Sequence, residues 1–183
     1  MSVTKEIIAD RLDKRFAQKG FTALGVDELS VAAQVSIRTL YKYYPSREKM
    51  IVGALSHRND QYFKWLDDGL QHKTGTDRIL HIFSRLSEWL DNNESHGCLF
   101  LNAMSSYPES NAIKKLTKEH KNKLFHLFLD ELKSLSSTIE KPELLAESLL
   151  VIHEGQTKSA MTRDTSDSNQ AALKLAKIIL DLV

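Results

Sequence analysis

A single cysteine in 183 residues, Cys98, excludes an intrachain disulfide. A chain of this kind suits a reducing compartment, and the expected location is the cytoplasm. Prolines number three and glycines seven. Strands joined by tight turns need more of both, so the expected fold class is all-α. No apolar run approaches the ~20 residues that span a bilayer. The first residues, MSVTKEIIADRLDKRF, are charged throughout and lack the apolar core of a signal peptide. No membrane partner is expected. The chain also lacks a glycine-rich phosphate loop, an HExxH pair and a nucleophile-elbow serine. Without a catalytic constellation, an enzyme is not expected, nor is a cofactor. His96 and Cys98 lack two further ligands at suitable spacing, and His120 and His126 fall on different helix faces, so no metal site is expected.

Another absence is local. No Asp or Glu occurs from Leu29 to Arg47. Residues 1–50 hold nine Lys or Arg against six acids, whereas the remainder holds 16 against 18. A surface that faces nucleic acid excludes carboxylates because each repels phosphate.

Apolar spacing and punctuation predict about nine helices. Ile8, Leu12 and Phe16 make one stripe of a first helix that ends at Gly20. A short second helix spans about 26–34, with Asp27 and Glu28 in its first turn, where the helix dipole favours them. Ser36 caps a third, about 36–44, which Pro45 stops. Some three residues join the second to the third, as in a helix-turn-helix. Ser46 opens a long fourth helix, about 46–71. Five more are expected at about 76–92, 98–104, 109–136, 142–162 and 168–182. Pro142 suits a first helical turn.

The third helix carries the chemistry. Leu40 and Tyr44 share a face and, with Ile37, can pack on the earlier helices. Arg38, Tyr41, Lys42 and Tyr43 are left on other faces. Arg38 lies in the first turn, where a recognition helix meets base edges. A guanidinium there can fork onto guanine, worth about 1–3 kcal/mol of discrimination. Tyrosine hydroxyls and the charges of Lys42, Arg47 and Lys49 suit phosphate oxygens. Tyrosines in small helices are often packing residues with a wet hydroxyl; the capped helix pair, the short turn and the acid-free window favour the nucleic-acid reading.

GFTALGVDELSVAAQVSIRTLYKYYPSREKMI, residues 20–51, resembles the DNA-binding signature of TetR-family one-component regulators. The matching features are Gly20-Phe21, the helix start at Val26, Leu29, Ala33, Val35-Ser36, Thr39-Leu40-Tyr41, Tyr43-Tyr44 and Ser46-Arg47-Glu48-Lys49. GCLFLNAM, 97–104, resembles the start of the sixth helix in many members. The resemblance implies a DNA-binding helix-turn-helix domain over 1–50 and a ligand-binding and dimerisation bundle over 51–183. The DNA-facing set is then Ile37, Arg38, Thr39, Tyr41, Lys42, Tyr43, Arg47 and Lys49. Three positions depart from the family pattern. Gln34 stands where glycine is frequent, Gly25 replaces a Thr cap, and Arg38 replaces a small residue.

The resemblance further implies a homodimer through residues 142–183, an operator duplex as partner, and a small-molecule inducer within the bundle. The function expected is repression relieved by that inducer. Candidate pocket residues are Phe83, Trp89, Cys98, Asn102, Phe125, Phe128, His153 and Gln156. Aromatics at helical spacing are more often plain core, and the polar members are the more informative, because buried polar groups must find partners. Two other functions compete. One is a redox or electrophile sensor built on Cys98, near His96. The other is a small-molecule carrier without DNA function, which has no reason to keep an acid-free third helix.

Overall fold

The computed structural model describes residues 3–93, 97–136 and 139–181. Among them are nine α-helices and no strand: α1 Val3–Lys19, α2 Val26–Ala33, α3 Ile37–Tyr43, α4 Arg47–Asp67, α5 Gly75–Asn92, α6 Leu99–Ser106, α7 Asn111–Leu135, α8 Pro142–Ser159 and α9 Thr165–Leu180. The all-α expectation and the helix order hold.

The boundaries differ from the expected ones for local reasons. α4 stops at Asp67, four residues early, and Gly69 in the turn that follows has φ 92°. α9 starts at Thr165, three residues early, because the Asp164 side chain accepts from Ser166 N at 2.9 Å and caps it. The RDTSDS stretch, expected as a loop, is thus partly helix.

Two compact units emerge: Met1–Tyr62 with Leu99–Glu119, and Phe63–Cys98 with His120–Val183. Compactness does not follow a single cut after residue 50. The first half of α4, α6 and the opening of α7 sit with the helix-turn-helix. Ion pairs and hydrogen bonds account for this. Arg58 Nε on α4 donates to Asp13 Oδ1 on α1 at 2.7 Å in a buried pair. Ser110 Oγ donates to Glu48, and the same hydroxyl accepts from Ile113 N at the start of α7.

The first unit buries Ile8, Leu12, Phe16, Phe21, Leu29, Leu40, Met50, Ile51 and Leu55. Phe16 and Phe21 stack at 5.0 Å, so the residue after the Gly20 terminator anchors the core. The second unit buries Ile79, Ile82, Phe83, Leu86, Leu124, Phe128, Leu132 and Leu149, with α9 applied through Ala172 and Ala176. Small residues there let the α9 backbone approach α5 and α8 closely.

Candidate nucleic-acid interface

The turn between α2 and α3 sets the position of the reading helix. Gln34 adopts φ 55°, ψ 44°, and its N–H bonds to Val31 O at 3.0 Å. Val35 N then reaches Ser30 O at 3.1 Å, closing the end of α2. A left-handed residue is what this turn needs, and glutamine supplies it at a cost that glycine avoids. Ser36 caps α3: its hydroxyl accepts from Thr39 N at 3.1 Å and shares a hydrogen bond with Thr39 Oγ1 at 2.9 Å. Gly25, the N-cap of α2, has no side chain to offer; only the return half of a capping box forms, Gly25 N to Glu28 Oε2 at 3.2 Å.

Leu40 and Tyr44 fix α3 to the core. Leu40 is fully buried, and the Tyr44 hydroxyl donates to Lys5 O at 3.1 Å across 39 residues. Lys5 Nζ lies 5.5 Å from the Tyr44 ring centre. Burial raises the Tyr44 phenol above its ordinary pKa. Against the other side of Tyr44 lies Gly53 of α4. A Cβ built there would stand 2.2 Å from a Tyr44 ring carbon, so glycine is required by the ring. In the sequence, the only cue to this contact is a glycine inside a helix.

With one face of α3 held inward, Arg38, Tyr41 and Lys42 stand exposed together, at i, i+3 and i+4. Lys49, in the first turn of α4, is exposed as well. Thr39 and Tyr43 are half-buried, and Lys42 Nζ lies 5.7 Å from the Tyr43 ring centre. Ile37 departs from its expected packing role. It is 37% exposed and belongs to the outward set.

Arg47 is the second departure, and it bears on its expected phosphate role. Its Nε donates to the Tyr107 hydroxyl at 2.7 Å, Nη1 to Leu24 O at 2.6 Å, and Nη2 to Phe21 O. Three N–H groups therefore tie the start of α4 to the loop between α1 and α2 and to Tyr107 after α6. Sequence reasoning counted Arg47 by charge alone; its acceptors are backbone carbonyls, which leave no mark in a sequence.

Of the eight pocket candidates, Phe83, Phe128 and His153 form a cluster: the phenyl rings stack at 5.6 Å, and the imidazole centre lies 6.4 and 6.3 Å from them. Gln156 joins by donating to Phe83 O at 3.0 Å. Burial, followed by the charge of Lys121, lowers the His153 pKa to about 3, so the ring is neutral at neutral pH. Trp89 instead pairs with Trp65 at 6.2 Å, and Phe125 with His126 at 5.3 Å. Cys98 is a half-buried free thiol just before α6. Asn102, on α6, belongs to the first unit. His96, the expected neighbour of Cys98, lies outside the described residues.

Residues 8–54 match the family of bacterial regulatory proteins named for tetR, a span that runs from α1 through the helix-turn-helix into α4. The helix-turn-helix segment belongs to the TetR family. The chain is 25% identical over 144 residues to the HTH-type transcriptional regulator YjdC of Escherichia coli, covering 77% of this chain and 74% of that protein. It is 30% identical over 99 residues to the HTH-type transcriptional repressor NemR of Escherichia coli, covering 52% and 50%. Its fold is that of solved TetR regulators. SCO4454, a TetR-family transcriptional regulator from Streptomyces coelicolor, superposes with a TM-score of 0.87 at 16% identity over 97% of this chain and 94% of that one. The reduced form of Escherichia coli NemR gives 0.81 at 22% over 97% and 96%. The protein is a DNA-binding transcriptional regulator of the helix-turn-helix type, a non-enzymatic class. No helix among its described residues is long and apolar enough to cross a membrane.

Proposed function

We propose that this regulator is a cytoplasmic homodimeric repressor, held on a dyad operator through α3 and released by a small-molecule inducer that enters the second unit. The observation that carries the reading is the outward face of α3: Arg38, Tyr41 and Lys42 exposed side by side, with Lys49 beyond them and no carboxylate from Leu29 to Arg47. Arg38 reads a base edge, and Lys42, Lys49 and the tyrosine hydroxyls hold phosphates. Arg47 positions this surface from behind. Ile37 and Thr39 complete it, Ile37 as an apolar contact for a thymine methyl.

One seven-residue helix gives too little contact for tight specific binding, and two heads on half-sites one helical turn apart supply the rest. Support for a dimer comes from α8 and α9, where Leu144, Val151, Leu175 and Ile178 are each more than half exposed. Support for repression comes from the repressor NemR among the relatives. Induction is a population shift, so the inducer binds the DNA-incompetent dimer more tightly. α4 is continuous from Arg47 in the first unit into the second at Phe63, and provides a covalent route for the signal. A carrier that had lost DNA function would not keep the acid-free face.

The test is fluorescence anisotropy with duplexes from the region upstream of the chain's own gene, against scrambled duplexes at fixed salt. A specific site should bind at least about 10³-fold more tightly than scrambled sequence. Equal affinity for every duplex would sink the reading.

A further inference from the structure

The cluster in the second unit has a definite polarity. Gln156 Nε2 faces two acceptors, Phe83 O at 3.0 Å and Asn169 Oδ1 at 3.3 Å, and this fixes which end of the amide is nitrogen. The carbonyl oxygen, Oε1, therefore points the other way. It is buried, in a side chain only 3% exposed, and no described residue donates to it. Ser168 Oγ on α9 is likewise buried without a described partner. Buried acceptors are normally satisfied, so Oε1 marks a place where a donor belongs.

The surroundings set the charge of that donor. Among the described residues, the buried polar ones of the second unit are Ser87, His120, His153, Gln156 and Ser168, none of them acidic, lysine or arginine. His153, one turn before Gln156, is neutral. The cation it senses, Lys121, is engaged with Glu154 at 3.1 Å. A buried ion without a buried counter-charge is strongly disfavoured. Gln156 is tied to Phe83 O, and the Phe83 ring stacks on Phe128 at 26° from parallel. The two rings favour a planar apolar body.

We propose that the inducer is an uncharged molecule with a planar apolar body and a hydrogen-bond donor, a hydroxyl or an amide N–H, which it gives to Gln156 Oε1. This rests on the reading of the second unit as an inducer-binding bundle. The rings of Phe83 and Phe128 are closed on each other, so such a ligand enters by parting them. That displacement couples its binding to the geometry of the helices.

Isothermal titration of the full chain with three probes that share one ring system tests the proposal: 2-naphthol, 2-naphthoate and (2-naphthyl)methylammonium. The neutral alcohol should bind at least about tenfold more tightly than either ion, the order of one buried hydrogen bond. Gln156→Met keeps the length of the side chain and removes the carbonyl. It should weaken 2-naphthol by about tenfold and leave the ions unchanged, while urea melts report that the variant is folded. An ion that matches 2-naphthol, or a Gln156→Met variant that binds it undiminished, overturns the assignment. Phe128→Trp, which enlarges one of the two rings that a ligand has to part, separates the ligand class from the site. If it abolishes binding while the ions match the alcohol, the ligand class is wrong and the bundle site stands. If no probe binds, or all bind regardless of Phe128→Trp, the bundle site itself falls.

Discussion

Arg38 and Lys42 sit four residues apart on one exposed face, yet they should fail differently when removed. Arg38→Ala deletes a base-edge fork and should narrow the gap between operator and scrambled duplex by about 1–3 kcal/mol. Lys42→Ala deletes a point charge on phosphate. It should weaken binding to every duplex and reduce the slope of log K against log salt by about one. Titrations at several salt concentrations distinguish the two, and identical profiles for both variants would refute the division of labour. His153 makes a prediction of a different kind. Its folded pKa lies near 3, below the ordinary 6.5 of the unfolded chain. The stability this represents is complete above pH 6.5 and drains as pH falls toward 3, because the unfolded chain takes up the proton first. Between pH 7 and pH 5 the loss is about 2 kcal/mol. His153→Gln, which cannot charge, should remove most of that slope in urea melts at the two pH values. An unchanged slope would show that His153 is not the titrating group. The sequence disclosed Arg38 and Lys42 through their charge and place in the helix. It was silent on the inward ties of Arg47, because their partners are backbone carbonyls and the Tyr107 hydroxyl, 60 residues away.

The helices themselves were legible wherever a cap, a terminator or a regular apolar stripe marks them. Ser36 and Ser46 cap where expected, and Gly20 terminates with φ 73°. Legibility failed where several start signals compete, as in RDTSDS, which offers Asp164, Thr165, Ser166 and Ser168; the Asp164 bond to Ser166 N decided it. The α2–α3 turn tests whether local strain is tolerated for position. Gln34 at φ 55° carries the steric penalty of a left-handed residue, about 1–2 kcal/mol. Glycine would remove it and return part through the extra freedom of the unfolded chain. Gln34→Gly should therefore stabilise the fold by roughly 0.5–1 kcal/mol, seen as a higher urea midpoint at constant slope. Destabilisation would mean that the glutamine side chain contributes something its exposure does not suggest. The opposite result is expected on α4. Gly53→Ala drives a methyl into the Tyr44 ring, an overpacking that should cost about 1–3 kcal/mol. Because Tyr44 sets the inner face of α3, DNA affinity should fall more than the stability loss alone explains.

At the scale of the whole molecule, the assembly is written in residues that a single chain leaves uncovered. On α8, Leu144, Ser148, Val151 and Gly155 recur at spacings of four, three and four, and on α9 Ala171, Leu175 and Ile178 do the same. Leu149, Leu150, Ala172, Ala176 and Leu180, on other faces of the same helices, are already buried within the chain. The sequence showed that α9 is broadly apolar. It could not tell which part of that breadth serves the chain's own core and which a second copy, because both use the same residue types. The exposed part has small residues between large ones: a Cβ added at Gly155 would meet nothing within 4 Å, and Ser148 is half-buried with its hydroxyl returned to Leu144 O at 2.9 Å. Small residues alternating with Leu, Val and Ile allow two helices to close on their mates. If this is the dimer face, Val151→Lys with Ile178→Lys places four cations in a symmetric apolar contact. Sedimentation should then show a monomer at micromolar concentration, while circular dichroism retains the helical signal of the parent. Operator affinity should fall by about 10²–10⁴-fold, since the second head no longer binds as part of the same molecule. A double variant that still sediments as a dimer would place the interface elsewhere on the chain.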